Sequence, residues 1–293
     1  AAFAAAVAEV LAANDIRVSL TASYLPTPGL SFAVLHRNAD AGVMITASHN
    51  PARWNGFKVK MSNGASAPEE ITRAIEDAIP GVLARNGVKQ LPLGEAESRG
   101  LVETFDVRPA YISALRELVD IQSIRDAGYT VLVESMYGAA GGLTADIIGE
   151  GATKVIEIHG SPNPAFPGLR APEPITPNLT EQLSMLAAGG YAVGLSTDGD
   201  GDRFGLADER GRFITQLQVY ALLTRCLLDS RGERGAIVKS ITTSRMMDRL
   251  GAMFDCPVIE TRVGFKYLGE KMMETNALIA GEESGGYAFR GHI

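Results

Sequence analysis

The chain reads as an α/β protein laid out in three consecutive blocks of strand and helix. Short apolar runs alternate with longer helical stretches along its length, the pattern of largely parallel sheets covered by helices on both faces. A polar stretch rich in Gly, Pro and Glu at residues 87–100 separates the first block from the second. With 293 residues, 46% of them hydrophobic, the chain can bury a substantial core, and length alone suggests about two domains.

The elements follow in order. Residues 1–13 are alanine-rich, broken by Glu9 and stopped by Asn14, with no basic residue in front, so they read as an internal helix and not as a signal peptide. Residues 17–20, 42–45 and 57–61 read as strands and 69–83 as a helix, with Ser66 and Glu69 at capping-box spacing. Block two opens with a helix at 109–119, Pro109 leading it. Apolar runs at 130–133, 154–158 and 192–195 then alternate with helices near 140–148 and 179–188. Block three has helices at 217–228 and 244–254 and strands at 236–238, 258–259 and 278–280. The blocks share a pattern and no residue-level repeat.

The most informative run is Asp198-Gly199-Asp200-Gly201-Asp202-Arg203. Three carboxylates at alternate positions can converge on one hard cation such as Mg²⁺, and the adjacent Arg203 can grip phosphate bidentately. Metal plus guanidinium points to phosphoryl chemistry. A helix-loop-helix calcium module is the alternative, with Asp198, Asp200, Asp202 and Glu209 at positions 1, 3, 5 and 12 of such a loop. Against it, Arg203 occupies the sixth position, where that loop turns on glycine. The flanks at 191–196 and 203–207 also read as β segments.

A second cluster is Thr46-Ala47-Ser48-His49-Asn50-Pro51, followed by Trp54-Asn55-Gly56-Phe57-Lys58. It follows a buried strand and Asn-Pro ends regular structure, so Ser48 belongs on a loop at a strand end, where open α/β sheets bind ligands. The Gly-x-Ser-x-Gly elbow is absent, which argues against a hydrolase triad. A third cluster, Gly281-Glu282-Glu283-Ser284-Gly285-Gly286, sets carboxylates and a hydroxyl in a glycine-flanked loop, a cup suited to sugar hydroxyls.

In this order the three clusters resemble the α-D-phosphohexomutase family, which includes phosphoglucomutase and phosphomannomutase. Thr46 to Pro51 is similar to its phosphoserine loop, Asp198 to Arg203 to its metal loop, and Gly281 to Gly286 to its sugar loop. Weaker matches are Tyr24-Leu25-Pro26-Thr27-Pro28, Phe166-Pro167-Gly168 with Pro172-Glu173-Pro174, Val238-Lys239, and Val263-Gly264-Phe265-Lys266-Tyr267. The resemblance implies three successive α/β domains, here 1–105, 106–211 and 212–293, with mixed, mostly parallel sheets and an active-site cleft between them. The chain lacks the family's leading segment with its basic residue, does not begin with Met, and stops at Arg290-Gly291-His292-Ile293. The family's fourth, phosphate-gripping domain is therefore expected to be missing, as in a fragment.

By resemblance, phosphorylated Ser48 donates its phosphoryl group to a hexose 1- or 6-phosphate. The resulting bisphosphate reorients and returns its other phosphate. Asp198, Asp200 and Asp202 would hold Mg²⁺, with an oxygen of phosphorylated Ser48 as a further ligand. Lys58 matches the family's proton acceptor, which requires its pKa to fall; His49 would touch substrate or steady the serine loop. Substrate contacts would come from Arg203, Gly264, Glu282 and Ser284, and phosphate contacts from Lys239 and Lys266. Gly286 stands where some members carry His, which favours glucose phosphate over mannose phosphate or another phosphosugar. His36, His159 and His292 receive no role. A catalytically silent sugar-phosphate binder is the other reading, and intact Ser48, Lys58 and three aspartates argue against it.

A net charge of −7 argues against nucleic acid, which needs a basic stripe to displace counterions. Apolar stretches all fall short of the ~20 residues a membrane helix needs. Two cysteines, Cys226 and Cys256, argue against a disulfide framework and for a reducing cytoplasm. The expected partners are hexose phosphates and a hexose bisphosphate.

Overall fold

The structure, a computed structural model, describes residues 2–85 and 87–292. The first domain runs α1 (Ala2–Ala12), β1 (Val18–Thr21), α2 (Thr27–His36), β2 (Ala41–Ile45), β3 (Phe57–Met61), α3 (Glu69–Ala84), α4 (Leu93–Ser98) and β4 (Val102–Phe105). Its strands pair as two ribbons, β1 parallel to β4 and β2 antiparallel to β3. Small side chains let α1 lie close to α4: Ala8 and Ala12 pack on Ala96 and Val102.

Two expectations change here, and one helix appears where no element was expected. The stretch expected as a linker holds α4 and leads into β4, whose return to β1 makes it part of the domain. Helix α2 was hidden by Pro28-Gly29, which reads as a turn. Pro in the first helical turn forfeits no hydrogen bond, and Gly29 leaves room for Leu25, whose Cδ1 would lie 2.7 Å from an added Cβ. The Ser66–Glu69 capping box does not form. Pro68 is the N-cap of α3, and the Ser66 hydroxyl instead accepts from Lys60 Nζ at 3.3 Å.

The second domain comprises α5 (Arg108–Leu118), α6 (Ile121–Asp126), β5 (Thr130–Glu134), α7 (Leu143–Ile148), β6 (Lys154–Ile158), α8 (Thr180–Ala187), β7 (Val193–Thr197), β8 (Phe204–Asp208) and β9 (Phe213–Ile214). The sheet order is β6-β5-β7-β8-β9, parallel through β7 and antiparallel beyond. α7 begins later than expected because residues 136–142 form an irregular turn in which Met136 and Tyr137 both have positive φ.

The third domain runs α9 (Gln216–Arg225), a π turn (Cys226–Ser230), β10 (Ile237–Ser240), α10 (Met246–Met253), β11 (Val258–Thr261), α11 (Phe265–Thr275), β12 (Ile279–Gly281) and β13 (Tyr287–Phe289). Its order is β11-β10-β12-β13, with only β13 antiparallel. Apolar layers cover both faces of the sheet: Tyr220, Leu228, Met247 and Ile279 in one, Val238, Leu268 and Met272 in the other. Two ribbons in the first domain and one mixed sheet in each of the other two, all accompanied by helices, thus match the predicted α/β fold class. Among the described residues, no helix is long and apolar enough to cross a membrane.

Candidate active site

The metal-loop residues 198–203 turn the tight β7–β8 hairpin. This hairpin disposes of the calcium-module alternative, which needs flanking helices; Glu209 is exposed and pairs with Arg210. Ligand oxygens of Asp198, Asp200 and Asp202 lie within 4.8 Å of one another. Asp198 is fully buried, and its Oδ1 accepts the backbone N–H groups of Asp202 at 3.0 Å and Arg203 at 3.1 Å. Burial, and then repulsion from Asp202 and Asp200, raises its carboxyl well above the usual range.

Ser48 arrives from the first domain on the loop joining β2 to β3. Its backbone is left-handed, φ +53°, and its N–H donates to Thr46 Oγ1 at 2.8 Å. The hydroxyl lies 3.3 Å from Asp198 Oδ2 and 3.3 Å from His49 Nδ1. Gly199 permits the approach, since a Cβ there would stand 2.6 Å from the Ser48 carbonyl oxygen. Burial, then the charge of Arg203, lowers the pKa of His49, favouring the neutral imidazole.

Lys58, on β3, donates to Asp200 Oδ2 at 2.8 Å and to Asp202 Oδ2 at 3.2 Å. Burial pushes its pKa down, but these two carboxylates outweigh it and the net shift is upward. The expected fall is therefore not found; the acids that would bind a cation hold the ammonium. Asp200 moves the other way. Burial raises it, and the Lys58 charge outweighs that and lowers it.

The sugar loop between β12 and β13 meets the metal loop's exit strand, where Phe204 N–H donates to the Gly285 carbonyl at 3.0 Å. Glu282 accepts from the Ser284 hydroxyl, and burial raises its pKa. Glu283 is tied back to Ser240, at 2.9 Å, and to Thr242. Arg203 Nη1 reaches Glu173 Oε1 at 3.5 Å, and its charge bears on His49, Glu282 and Glu283 alike.

Two expected phosphate contacts are engaged by carboxylates. Lys239 is buried on β10, with Asp248 at 3.0 Å and Glu260 at 3.1 Å, because alternate residues of the strand face opposite sides and Ser240 is the one turned to the sugar loop. Lys266 Nζ pairs at 3.3 Å with Glu69 of the first domain. Gly264 is the N-cap of α11 at φ +122°, a backbone role. Sequence reasoning gave no role to Thr27, Glu173, Ser240 and Thr242, which hold Asp200, Arg203 and Glu283; only the Thr27-Pro28 and Pro172-Glu173-Pro174 segments hinted at the first two.

The acidic cluster fits a divalent cation on one further observation. Among the described residues, Asp200 Oδ1 is buried and accepts no hydrogen bond, an arrangement that is costly unless a cation answers it.

Family models described as phosphoglucomutase/phosphomannomutase, alpha/beta/alpha domains I, II and III, match residues 1–86, 109–211 and 216–293. A phosphoglucomutase/phosphomannomutase of Thermococcus kodakarensis is 32% identical over 264 residues, covering 90% of this chain and 56% of the relative. A Methanothermobacter thermautotrophicus protein provisionally assigned as a phosphoglucosamine mutase is 33% identical, covering 89% and 54%. The chain thus spans a little over half the length of these relatives. The crystal structure of a candidate phosphomannomutase from Thermus thermophilus superposes with a TM-score of 0.87 at 34% identity, covering 100% of this chain and 64% of that one. With three domain types in the same order and the three loops converging at one place, the chain belongs to the α-D-phosphohexomutase family of phosphoglucomutases and phosphomannomutases.

Proposed function

We propose that the parent protein interconverts hexose 1-phosphate and hexose 6-phosphate through a phosphorylated Ser48 and a sugar bisphosphate, and that glucose phosphate is its preferred substrate. The observation that carries this is the meeting of Ser48 Oγ with Asp198 Oδ2 at 3.3 Å across 150 residues of sequence. It puts a nucleophilic hydroxyl beside three convergent carboxylates.

In this reading the phosphoryl group leaves Ser48 Oγ for the free sugar hydroxyl, whose proton passes to Lys58. The same groups then run in reverse to return the second phosphate. Asp198, Asp200 and Asp202 would hold Mg²⁺, which supplies Lewis acidity at the phosphoryl oxygens and cancels the carboxylate charge that keeps Lys58 protonated. Arg203 grips phosphate, His49 steadies the serine loop, and Glu282 with Ser284 holds sugar hydroxyls in both orientations of the ring. Lys239, buried between Asp248 and Glu260, and Lys266, paired with Glu69 of the first domain, are given no step in this assignment.

Domain limits are proposed after Phe105, where β4 rejoins β1, and after Ile214 in place of the expected Gly211, which would cut β9 from its sheet. The two free thiols accord with a reducing cytoplasm. Glucose is favoured by Gly286 in the sugar loop, and the relative assigned to glucosamine phosphate makes glucosamine 1-phosphate the competitor to test.

Incubation with glucose 1,6-bisphosphate and Mg²⁺, followed by peptide mass mapping, should add one phosphate at Ser48 and none in Ser48→Ala. Label on another residue with Ser48 bare would refute the donor assignment. In the full-length parent, kcat/KM should rank glucose 1-phosphate above mannose 1-phosphate and glucosamine 1-phosphate.

A further inference from the structure

Thr27 has no part in the reading above, yet its polar groups turn to one residue of the metal loop. It is 5% exposed. Its backbone N–H donates to the Asp200 carbonyl at 2.8 Å, and its hydroxyl donates to Asp200 Oδ2 at 2.8 Å. The neighbouring Pro26 packs so tightly on Gly201, itself at φ +67°, that a Cβ there would come within 2.8 Å of the Pro26 Cβ. The start of α2 is thus pressed onto Asp200-Gly201 from across the domain boundary.

The consequence lies in how the two carboxylate oxygens are used. Oδ2 accepts from both Thr27 and Lys58, whereas Oδ1 is buried and accepts nothing among the described residues. An aspartate's terminal torsion is broad and two-fold, so either oxygen could face the cluster unless something claims one of them. Lys58 is a poor anchor because it also serves Asp202 and is a long, flexible chain. The Thr27 hydroxyl is short, buried and fixed at a helix start.

We propose that Thr27 is a positioning residue for the cation site: by capturing Oδ2 of Asp200 it presents Oδ1 to a divalent cation, and so makes the site depend on docking of the first domain against the second. This rests on the reading of Asp198, Asp200 and Asp202 as cation ligands. Partners that orient metal-ligating groups contribute about 10- to 100-fold to affinity.

The test is titration of the chain with Mn²⁺ alone, free ion being read by electron paramagnetic resonance, with folding checked by circular dichroism. Thr27→Val keeps the shape and removes the hydroxyl; it should weaken Mn²⁺ binding by about 10- to 100-fold, and Thr27→Ser should restore it. Should the valine variant fail to fold, Thr27→Ala takes its place. Wild-type affinity in Thr27→Val, or loss in Thr27→Ser equal to that in Thr27→Val, overturns the inference. Asp202→Asn separates the two levels. If it loses Mn²⁺ while Thr27→Val does not, the cation site stands and the positioning role falls; if it binds as tightly as wild type, the cation site itself falls and Thr27 with it.

Discussion

Lys60 lies two positions along β3 from Lys58, so both side chains point to the same face, but its surroundings are different. It is 7% exposed, its recorded partner is the neutral Ser66 hydroxyl at 3.3 Å, and burial, then the charge of Lys58, lowers its pKa. A base whose pKa is lower folded than unfolded adds its full stability only above the unfolded value of about 10.4 and loses it as pH falls through the folded one. Lys60→Met should therefore raise stability near neutrality, by about 1 kcal/mol. Thermal melts should show that advantage shrinking as pH rises toward about 10.4; an equal advantage at every pH would show that the charge is not its origin. Ser48 and the three aspartates stood out by residue type and local spacing, and they do meet in the structure, whereas Lys58, Glu282 and Ser284 were singled out through the family resemblance. Thr27 was not legible, because its partner lies 173 positions away, nor were the carboxylates beside Lys239, which come from neighbouring elements.

All three site loops join antiparallel neighbours and differ in what else holds them. Antiparallel pairing of β2 with β3 and of β7 with β8 fixes both ends of the serine loop and the metal loop. The sugar loop spans β12 and β13 and leans on the second domain through Gly285, at φ +93° with a Cβ position 2.9 Å from the Phe204 carbonyl oxygen. Gly285→Ala should cost about 1–3 kcal/mol through backbone strain and contact, and in the full-length enzyme should raise KM more than it lowers kcat, because the sugar contacts move while Ser48 and the aspartates do not. Steady-state kinetics checks this; an unchanged KM with reduced kcat would place the loop's effect elsewhere. Most strands were readable as apolar runs, since burial on both faces erases alternation but not hydrophobicity; β4, β9 and β13 were not. α2 and α11 were not, because Pro28-Gly29 and Gly264 read as breakers when they in fact open helices. α4 and β4 hid in a polar stretch whose buried members, Ala96 and Val102, are few and small.

Across the whole molecule, the domains meet at polar contacts that include Thr27 and Lys58 with Asp200, Phe204 with Gly285 and Lys266 with Glu69, and at an apolar seam where Val107 packs on Leu25 and Ala33. A cation held by the second domain and touched by Ser48 of the first would brace that junction. Mn²⁺ or Mg²⁺ at a hundred times its Kd should add about 2.7 kcal/mol, a rise of several degrees in Tm that chelation reverses and Asp202→Asn abolishes. Scanning calorimetry with and without EDTA measures it, and an unchanged Tm would exclude a cation that binds only the folded chain. The 150-residue separation of Ser48 from Asp198 also sets an order of events during synthesis. The β2–β3 hairpin can close as soon as residue 61 has emerged, whereas the serine has no carboxylate to face until the β7–β8 hairpin has been translated. Distant contacts form slowly because their loop entropy must be overcome first. A nascent chain therefore carries a closed serine loop well before the carboxylates it will face have been made.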